Sequence, residues 1–225
     1  MVIGIVVAIK EEASVFSEFF GKGRAAASDI YEVTEWHEGW NKFVMIRSGY
    51  GEIAAAAATQ YLIDNYPVDQ IINYGVVGAL HDNLNVHQVG IVHKIVHYGF
   101  DLSGGGKYPR GIYPKIGSPY IEPKIDIFAD ITELPSFICA SSDKFVYGGS
   151  PKRELHNEFN ADICDMESAG IILTCNKNSI PCGFIKAVSD GVEEDEKAFE
   201  ENVLEASRKC VDILSAMIRL ITPTF

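Results

Sequence analysis

Short apolar runs rich in β-branched residues alternate with longer amphipathic segments along this chain. The runs predicted as strands are 2–8, 43–47, 70–74, 89–95, 137–141 and 183–188. The segments predicted as helices are 11–20, 52–65, 123–132, 166–177 and 195–221, and the Gly-, Pro- and Tyr-rich stretch 99–123 is predicted to be one long loop. Continuous apolar strands that alternate with helices are typical of a largely buried sheet. The sequence therefore predicts an α/β fold.

The size and charge of the chain limit its domain count and its partners. It has 225 residues, 47% hydrophobic and 22% charged, which suits a single domain over residues 1–225 with a substantial core. The formal net charge is −12, and the basic residues form no cluster longer than "SPKRE". Nucleic acid and anionic membranes are not expected as partners, because both bind through clustered positive charge.

The cysteines and the first residues indicate a cellular location. Cys139, Cys164, Cys175, Cys182 and Cys210 form no CxxC pair, and most lie in apolar runs, where a free thiol packs as a small hydrophobic group. The chain begins on a strand-like segment without the basic region of a signal peptide. No apolar run approaches the roughly 18 residues of a membrane span. We therefore expect a cytoplasmic protein that does not associate with membranes.

Three acidic residues follow three different strands. Glu12 comes after the first strand, and Asp190 comes after the last. Glu167 lies at the start of the predicted helix 166–177, which follows a short strand. Ligands of α/β sheets collect at the carboxyl ends of the strands, so we expect these carboxylates to share a pocket. One acid that protonates a leaving group and another that activates water form the arrangement of an inverting glycosyl hydrolase.

Each of these acids also has a simpler interpretation. Glu12 could be a first-turn helix acid, and Asp190 with Gly191 could form a plain turn. In "CDMESAG", Asp165 is a good helix N-cap, and Glu167 would stand in the first turn, where negative charge is favoured. Capping alone could therefore account for the acids of that segment.

No pattern in the sequence indicates a bound metal or cofactor. Neither "GVVG" nor "GGG" fits the GxGxxG signature of a dinucleotide site. Among the six histidines, His93 and His97 are four residues apart, but on a predicted strand and its exit, which is not metal-ligand spacing. Gly75 and Gly78 are instead expected to let a ligand approach the backbone closely. We expect neither a metal nor a cofactor.

Six segments resemble a known family in their order and spacing. They are "IGIVVAIKEEASVF", "RSGYGEIAAAAATQYLID", "IINYGVVGALHDNLNVHQVGIV", "SSDKFV", "CDMESAGII" and "IKAVSDG". Together they resemble the purine nucleoside phosphorylase/nucleosidase superfamily nearly end to end, and within it the 5'-methylthioadenosine/S-adenosylhomocysteine nucleosidases. The set of six is specific for the superfamily and less specific for the substrate.

The resemblance implies a fold, an assembly and a set of site residues. The implied fold is one nucleoside phosphorylase-like α/β domain with a central mixed β-sheet flanked by helices, and the implied assembly is a homodimer whose partner helps to close each active site. By position, Glu12 would activate the attacking water, Asp190 would protonate purine N7, and Glu167 would accept the ribose hydroxyls, which leaves Asp165 as the cap. The other residues implied at the substrate are Met166 at the ribose, Ser189 beside Asp190, Phe145 and Val146 at the base, Ile9 and Tyr50 at the 5' substituent, and Gly78, Val76 and Lys186.

Three positions depart from the nucleosidase pattern. The family has a small hydroxyl residue where Val76 stands and an arginine where Lys186 stands, and both help to place the water. Valine has no side-chain hydrogen bond to offer, and lysine lacks the planar fork of arginine. Tyr50 replaces an expected aliphatic residue beside the 5' tail. These departures leave the 5' group of the substrate open.

Water is the expected nucleophile. Phosphorylases of the family hold phosphate with a Gly-Asp-Pro turn and arginines, whereas here the first turn reads "AIKEE", Asn73 precedes "GVVG", and Arg47 alone is a poor phosphate clamp. The sequence thus predicts hydrolysis of a purine nucleoside, first of all 5'-methylthioadenosine or S-adenosylhomocysteine. The alternatives are another 5'-substituted or plain purine nucleoside (futalosine-type, adenosine or inosine), phosphorolysis, and a catalytically weak nucleoside-binding protein.

Overall fold

Strands and helices follow one another in the alternating order that the sequence predicts. The structure, a computed structural model, describes residues 1–124, 134–194 and 196–221. The strands in these ranges are β1 (Val2–Val7), β2 (Arg24–Ala25), β3 (Glu32–Glu38), β4 (Asn41–Arg47), β5 (Gln70–Ala79), β6 (Val89–His97), β7 (Tyr120–Ile121), β8 (Ser136–Ser141), β9 (Ile163–Asp165) and β10 (Cys182–Asp190). The helices are α1 (Lys10–Phe20), α2 (Glu52–Asn65), α3 (Gly149–Phe159), α4 (Ser168–Asn178) and α5 (Glu196–Ile221), with a 3₁₀ turn at Ser103–Gly105.

The strands form one mixed sheet. Parallel pairs join β1 to β4 and β5, β5 to β10, and β8 to β6 and β9. Antiparallel pairs join β3 to β2 and β4, β6 to β7 and β10, and β5 to β9. The predicted α/β fold with a central mixed sheet flanked by helices is confirmed.

The long strand β5 is the point at which the sheet closes on itself. Along one edge its first residues pair with β1, whereas Gly78 and Ala79 at its end pair with Cys164 and Ile163 of β9. Along the other edge it pairs with β10. Since β9 pairs with β8, β8 with β6, and β6 with β10, these four strands and β5 form a closed ring of five. The carboxyl end of β9 therefore points back along β5, next to the carboxyl ends of β5 and β10.

Helices cover both faces of the sheet, which explains why β1 and β5 are apolar on both sides. Helices α2 and α4 pack together on one face, and α1 and α5 pack together on the other. Gly170 of α4 lies against the start of α2, and a Cβ at this position would overlap the carbonyl oxygen of Glu52. This close approach fixes the N-terminus of α4 relative to Gly51 and Glu52.

Some elements differ from the prediction. The sequence does not predict α3, β2, β3 or β7, and the last two residues of the predicted loop 99–123 directly follow β7. Most of the predicted helix 123–132 lies outside the described residues, while Lys124 forms an isolated bridge with Cys182. None of the helices in the described ranges combines the length and the apolar character that crossing a bilayer requires.

Candidate active site

A cavity of about 400 Å³ opens where β1, β5, β9 and β10 end. It is lined by all but one of the residues that the sequence analysis places at the substrate: Ile9, Glu12, Tyr50, Val76, Gly78, Phe145, Val146, Met166, Glu167, Ser189 and Asp190. The exception is Lys186, which is buried in β10 behind the lining. The cavity is also lined by Ala8, Val77, Lys144, Cys164, Asp165, Glu196 and Phe199.

Backbone N–H groups hold the Glu12 carboxylate at the start of α1. Its Oε2 accepts hydrogen bonds from Ala8 (2.8 Å) and Ile9 (3.2 Å), and its Oε1 accepts one from Val76 (3.2 Å). Burial raises the pKa of Glu12 above its ordinary value, although the charge of Lys186 and these three N–H donors act to lower it. The donor at position 76 is the backbone, so a valine there still holds the carboxylate.

Gly75 makes room for Glu12. A Cβ at Gly75 would overlap Oε1 of Glu12, so a side chain at this position would displace the carboxylate from its N–H donors. The expectation that Gly75 permits close approach is therefore correct in kind, but the group that approaches is a side chain of the protein itself.

Glu167 lies between β9 and α4 and points toward α2. Its Oε1 accepts a hydrogen bond from the N–H of Gly51 at 2.9 Å. Burial, together with the negative charge of Asp165, raises the pKa of Glu167 to about 7. Glu167 is the N-cap residue of α4 by position, but its side chain makes no capping hydrogen bond. The carboxylate is thus not explained by capping of α4, the helix that it precedes.

The prediction that Asp165 is simply the helix cap needs correction. Asp165 ends β9, and its Oδ1 does accept the N–H of Ser168, the first residue of α4 (3.3 Å). Its Oδ2, however, accepts the Ser168 hydroxyl and lies 2.8 Å from Nζ of Lys186. Burial would raise the pKa of Asp165, but the ion pair with Lys186 and the hydroxyl donors Ser168 and Ser141 hold it below its ordinary value. The main partner of Asp165 is a buried cation.

Asp190 ends β10 between a hydroxyl and an ammonium. The hydroxyl of Ser189 donates to Oδ1 of Asp190 at 2.7 Å, and Nζ of Lys152 lies 2.5 Å from Oδ2. Lys152 belongs to α3, the helix that the sequence does not predict. The signal that could have identified it is its spacing, because Lys152 stands on the same buried stripe as Leu155 and Phe159.

Aromatic side chains form the other wall of the cavity. Phe145 follows β8 and contacts Phe199 of α5 edge to face, with ring centroids 6.0 Å apart. Phe145 is half-exposed, while Val146 beside it is buried. Phe199 lies near the start of α5, so the N-terminal end of this helix forms part of the cavity wall.

Cations that could clamp a phosphate are scarce around the cavity. Among the described residues no arginine lines it, and Arg47 pairs with Glu32, with Nε 2.9 Å from Oε2. Nor do the described residues contain a group of three or more histidine, cysteine or acidic side chains placed to hold a metal ion. Apart from Lys144 and the sulfur atoms of Cys164 and Met166, the polar and aromatic groups of the lining are carboxylates, hydroxyls, backbone amides and aromatic rings.

Comparisons with known proteins agree with this geometry. Residues 2–219 match the family model of the phosphorylase superfamily. A 5'-methylthioadenosine/S-adenosylhomocysteine nucleosidase of Buchnera aphidicola is 32% identical over 90% of this chain and 91% of the relative. An aminodeoxyfutalosine nucleosidase of Helicobacter pylori is 26% identical over 91% of this chain and 92% of the relative.

A solved structure has the same fold. The futalosine hydrolase of Helicobacter pylori superposes with a TM-score of 0.90 over 98% of both chains, at 22% identity. Because the family model spans nearly the whole sequence and the arrangement of strands is shared, the chain belongs to the phosphorylase superfamily, and these relatives within it are nucleosidases.

Proposed function

We propose that this protein is a nucleosidase that hydrolyses the N-glycosidic bond of a purine nucleoside, with 5'-methylthioadenosine or S-adenosylhomocysteine as its first candidate substrate. The observation that carries the proposal is that Glu12, Glu167 and Asp190 line one cavity opposite aromatic side chains. The names of the relatives support the reaction class. In this proposal neither a metal nor a cofactor takes part.

The ribose lies against Glu167 and Met166. Cleavage of an N-glycosidic bond builds positive charge on the sugar, and an ionised carboxylate in a water-poor site stabilises that charge. Glu167 fits this role because its Oε1 is already oriented by the N–H of Gly51, and because its pKa of about 7 leaves it ionised at slightly alkaline pH. In the ionised state it accepts hydrogen bonds from the ribose hydroxyls.

The purine lies between the aromatic wall and Asp190. Phe145 stacks on the base, and the backbone of Val146 contacts its edge. Asp190, aided by Ser189, protonates N7, so that the base leaves as a neutral molecule. A positioned general acid typically contributes about 10²–10⁴ in rate.

Water attacks from the side of Glu12. The three N–H donors fix the position of the carboxylate, and its raised pKa makes it a better proton acceptor than an ordinary glutamate. Phosphate is a poor alternative nucleophile, because no arginine among the described residues lines the cavity. The reaction is therefore hydrolysis rather than phosphorolysis.

The 5' substituent lies near Ile9 and Tyr50, and its identity defines the second candidate. Aminodeoxyfutalosine is that candidate, because a relative with this name aligns over 92% of its own length. Tyr50 lines the cavity but is 68% exposed, so the 5' end of the site is open and accommodates groups of different size.

The test is a panel of nucleosides followed by release of the free base. Methylthioadenosine, adenosylhomocysteine, aminodeoxyfutalosine, adenosine and inosine are each incubated with the protein, with and without phosphate. We expect base release without phosphate and the highest kcat/KM on a 5'-substituted nucleoside. Strict dependence on phosphate, with ribose 1-phosphate as product, contradicts the hydrolase assignment, and tight binding without base release makes the protein a nucleoside-binding protein.

The protein acts as a homodimer in this proposal. The exposed apolar side chains Tyr50 and Ile53 lie at the start of α2, next to the cavity mouth, and are 68% and 78% exposed. A second copy that covers them would also close the open 5' end of the site. Light scattering after size exclusion should give twice the mass of one chain for the wild type. Ile53→Glu should reduce the measured mass to that of a single chain. Trp40→Glu, on the turn between β3 and β4, is the matched control and should leave the mass unchanged.

A cytoplasmic location completes the proposal. All five cysteines are free and buried, as expected for a reducing compartment. Cell fractionation of the source organism, with an antibody against the chain, is the measurement that checks it.

A further inference from the structure

Lys152 occupies an unusual place for a lysine. Its side chain is fully buried (0% exposed), and Nζ donates to Oδ2 of Asp190 at 2.5 Å and to the carbonyl oxygen of Gly191 at 2.6 Å. Asp190 is the group that faces the purine in the proposed function, and Lys152 does not line the cavity itself. Any effect of Lys152 on the reaction must therefore pass through Asp190.

A purely structural role does not explain this lysine. Removing an ammonium from water carries a large penalty, and well-packed apolar residues often replace buried ion pairs at no loss of stability. Lys152 also stands in the first turn of α3, where the helix dipole disfavours a positive charge. Leu155 and Phe159, on the same buried stripe, show what the packing alone requires.

The contacts of Asp190 define where a proton can be held. Oδ1 accepts the Ser189 hydroxyl at 2.7 Å, and Oδ2 faces the Lys152 ammonium. A carboxylate and an ammonium this close share one proton, which either nitrogen or oxygen can carry without a change in the total charge of the pair.

We propose that Lys152 is a positioning residue that supplies, through Asp190, the proton delivered to the purine. This inference rests on the proposed function. Nζ of Lys152 first passes a proton to Oδ2 of Asp190. As the glycosidic bond breaks, its electron pair passes to the purine, and Asp190 passes that proton on to N7. Asp190 is a carboxylate before and after the step, Lys152 ends as a neutral amine, and solvent returns the proton after the base has left.

Other titratable groups near the pair do not substitute for it. The Cys164 thiol of β9 faces Asp190, and burial, together with the Asp190 charge, raises its pKa to about 12. Glu194, in the loop after β10, accepts the N–H of Gly191 through Oε2. The hydroxyl of Ser189 donates a hydrogen bond but does not ionise in the pH range of an enzyme assay. Lys152 is thus the cation that faces Asp190 among these neighbours.

The inference is tested by the pH dependence of kcat/KM on the best nucleoside of the panel, for the wild type, Lys152→Met and Lys152→Arg. With the lysine, we expect the rate to persist into the alkaline range. Without it, Asp190 must hold its own proton, so the alkaline limb of Lys152→Met should move at least one pH unit toward acid. Arginine keeps the charge but does not release a proton, so Lys152→Arg should lose at least tenfold at every pH.

A matched control and two contrary results complete the experiment. Arg153→Met changes the next residue of α3, an exposed side chain that pairs with Glu193 and Asp82, and should leave the pH profile unchanged. If Lys152→Met fails to fold, Lys152→Arg decides, because it keeps the buried charge. Wild-type rates in Lys152→Arg, or an alkaline limb of the pH profile that does not move in Lys152→Met, contradict this inference but leave the proposed function standing. A wild type that cleaves no nucleoside removes the proposed function, and this inference with it.

Discussion

Nζ of Lys186 lies 2.8 Å from the Asp165 carboxylate, and both side chains are almost completely buried. Burial would lower the pKa of Lys186, but the charges of Asp165 and Glu167 hold it above the ordinary lysine value. The same ammonium acts to lower the pKa of Glu12 and of Glu167. Lys186 is therefore the counter-charge for three buried carboxylates, although it does not line the cavity.

The first prediction concerns Asp165→Asn. If Asp165 were only a helix cap, this change would have little effect, because asparagine caps about as well as aspartate. The ion pair predicts a large effect instead, since removing one partner leaves a buried charge uncompensated, at a cost of about 3–5 kcal/mol. Urea unfolding of the ligand-free protein at pH 7 measures the loss.

Two further variants interpret that measurement. Glu201→Gln breaks the exposed pair of Glu201 with Lys197 and should change stability little. Asp165→Asn combined with Lys186→Met removes both charges and should recover part of the loss, because Glu12 and Glu167 then lose their counter-charge. A destabilisation below about 1 kcal/mol in Asp165→Asn would favour the capping interpretation after all.

The second prediction is that ionised Glu167 lowers the free energy of unfolding at alkaline pH. Its pKa is about 7 in the folded protein, against an ordinary value of 4.5, so the folded state binds more protons than the unfolded state between these values. Stability therefore falls as pH rises through this window. At about 1.4 kcal/mol per pH unit, ionising Glu167 in the folded protein costs roughly 3 kcal/mol.

Glu167→Gln separates this cost from the function of the residue. The variant should match the wild type in stability at pH 4.5 and exceed it by up to about 3 kcal/mol at pH 8, as measured by denaturant unfolding. It should also lose ribose affinity and rate, because an amide carries no charge. Equal stability of variant and wild type at both pH values would show that Glu167 is not desolvated as the structure indicates.

Much of the cavity could be predicted from the sequence because its residues follow strands that the sequence marks clearly. The apolar runs of β1, β5 and β10 are continuous, and Glu12, Val76 and Asp190 follow or end them at positions that the strand boundaries fix. Backbone position thus carries most of the information about which side chains meet.

The two buried lysines could not be placed in the same way. Lys186 meets Asp165, and Lys152 meets Asp190, across 21 and 38 residues of chain, and only the closure of the sheet around β5 brings them together. Helix α3 also escapes the pattern, because it opens on "GGSP", which is typical of a loop, and has a lysine on its apolar stripe. For Asp165 the sequence predicts the bond to the N–H of Ser168, but not the ion pair with Lys186.

The third prediction concerns Gly75→Ala. The added Cβ would overlap Oε1 of Glu12, so the carboxylate must leave at least part of its N–H donors. Misplacing a catalytic group by about 1 Å can cost on the order of 10²-fold in rate, so we expect kcat to fall at least tenfold while KM changes less. Gly104→Ala is the matched control, because nothing lies within 4 Å of its Cβ. Unchanged kcat in Gly75→Ala would remove Glu12 from the reaction.

The last prediction concerns Val76, where this chain lacks the hydroxyl that the nucleosidase pattern has. The Val76 side chain lines the cavity, and its N–H donates to Oε1 of Glu12 at 3.2 Å. A serine at this position would add a hydroxyl next to the group that holds the water, and one neutral hydrogen bond contributes about 0.5–1.5 kcal/mol. Val76→Ser should therefore raise kcat/KM on methylthioadenosine by up to roughly tenfold relative to Val76→Ala, which loses the same packing without gaining a hydroxyl. Lys186 is left unchanged, because it belongs to the ion pair with Asp165 and not to the lining.

If Val76→Ser raises kcat/KM on methylthioadenosine but lowers it on the best substrate of the panel, the valine is an adaptation to a different 5' group. If serine and alanine give equal rates on every nucleoside, the residue at position 76 does not contact the water, and its proposed place in the site is wrong.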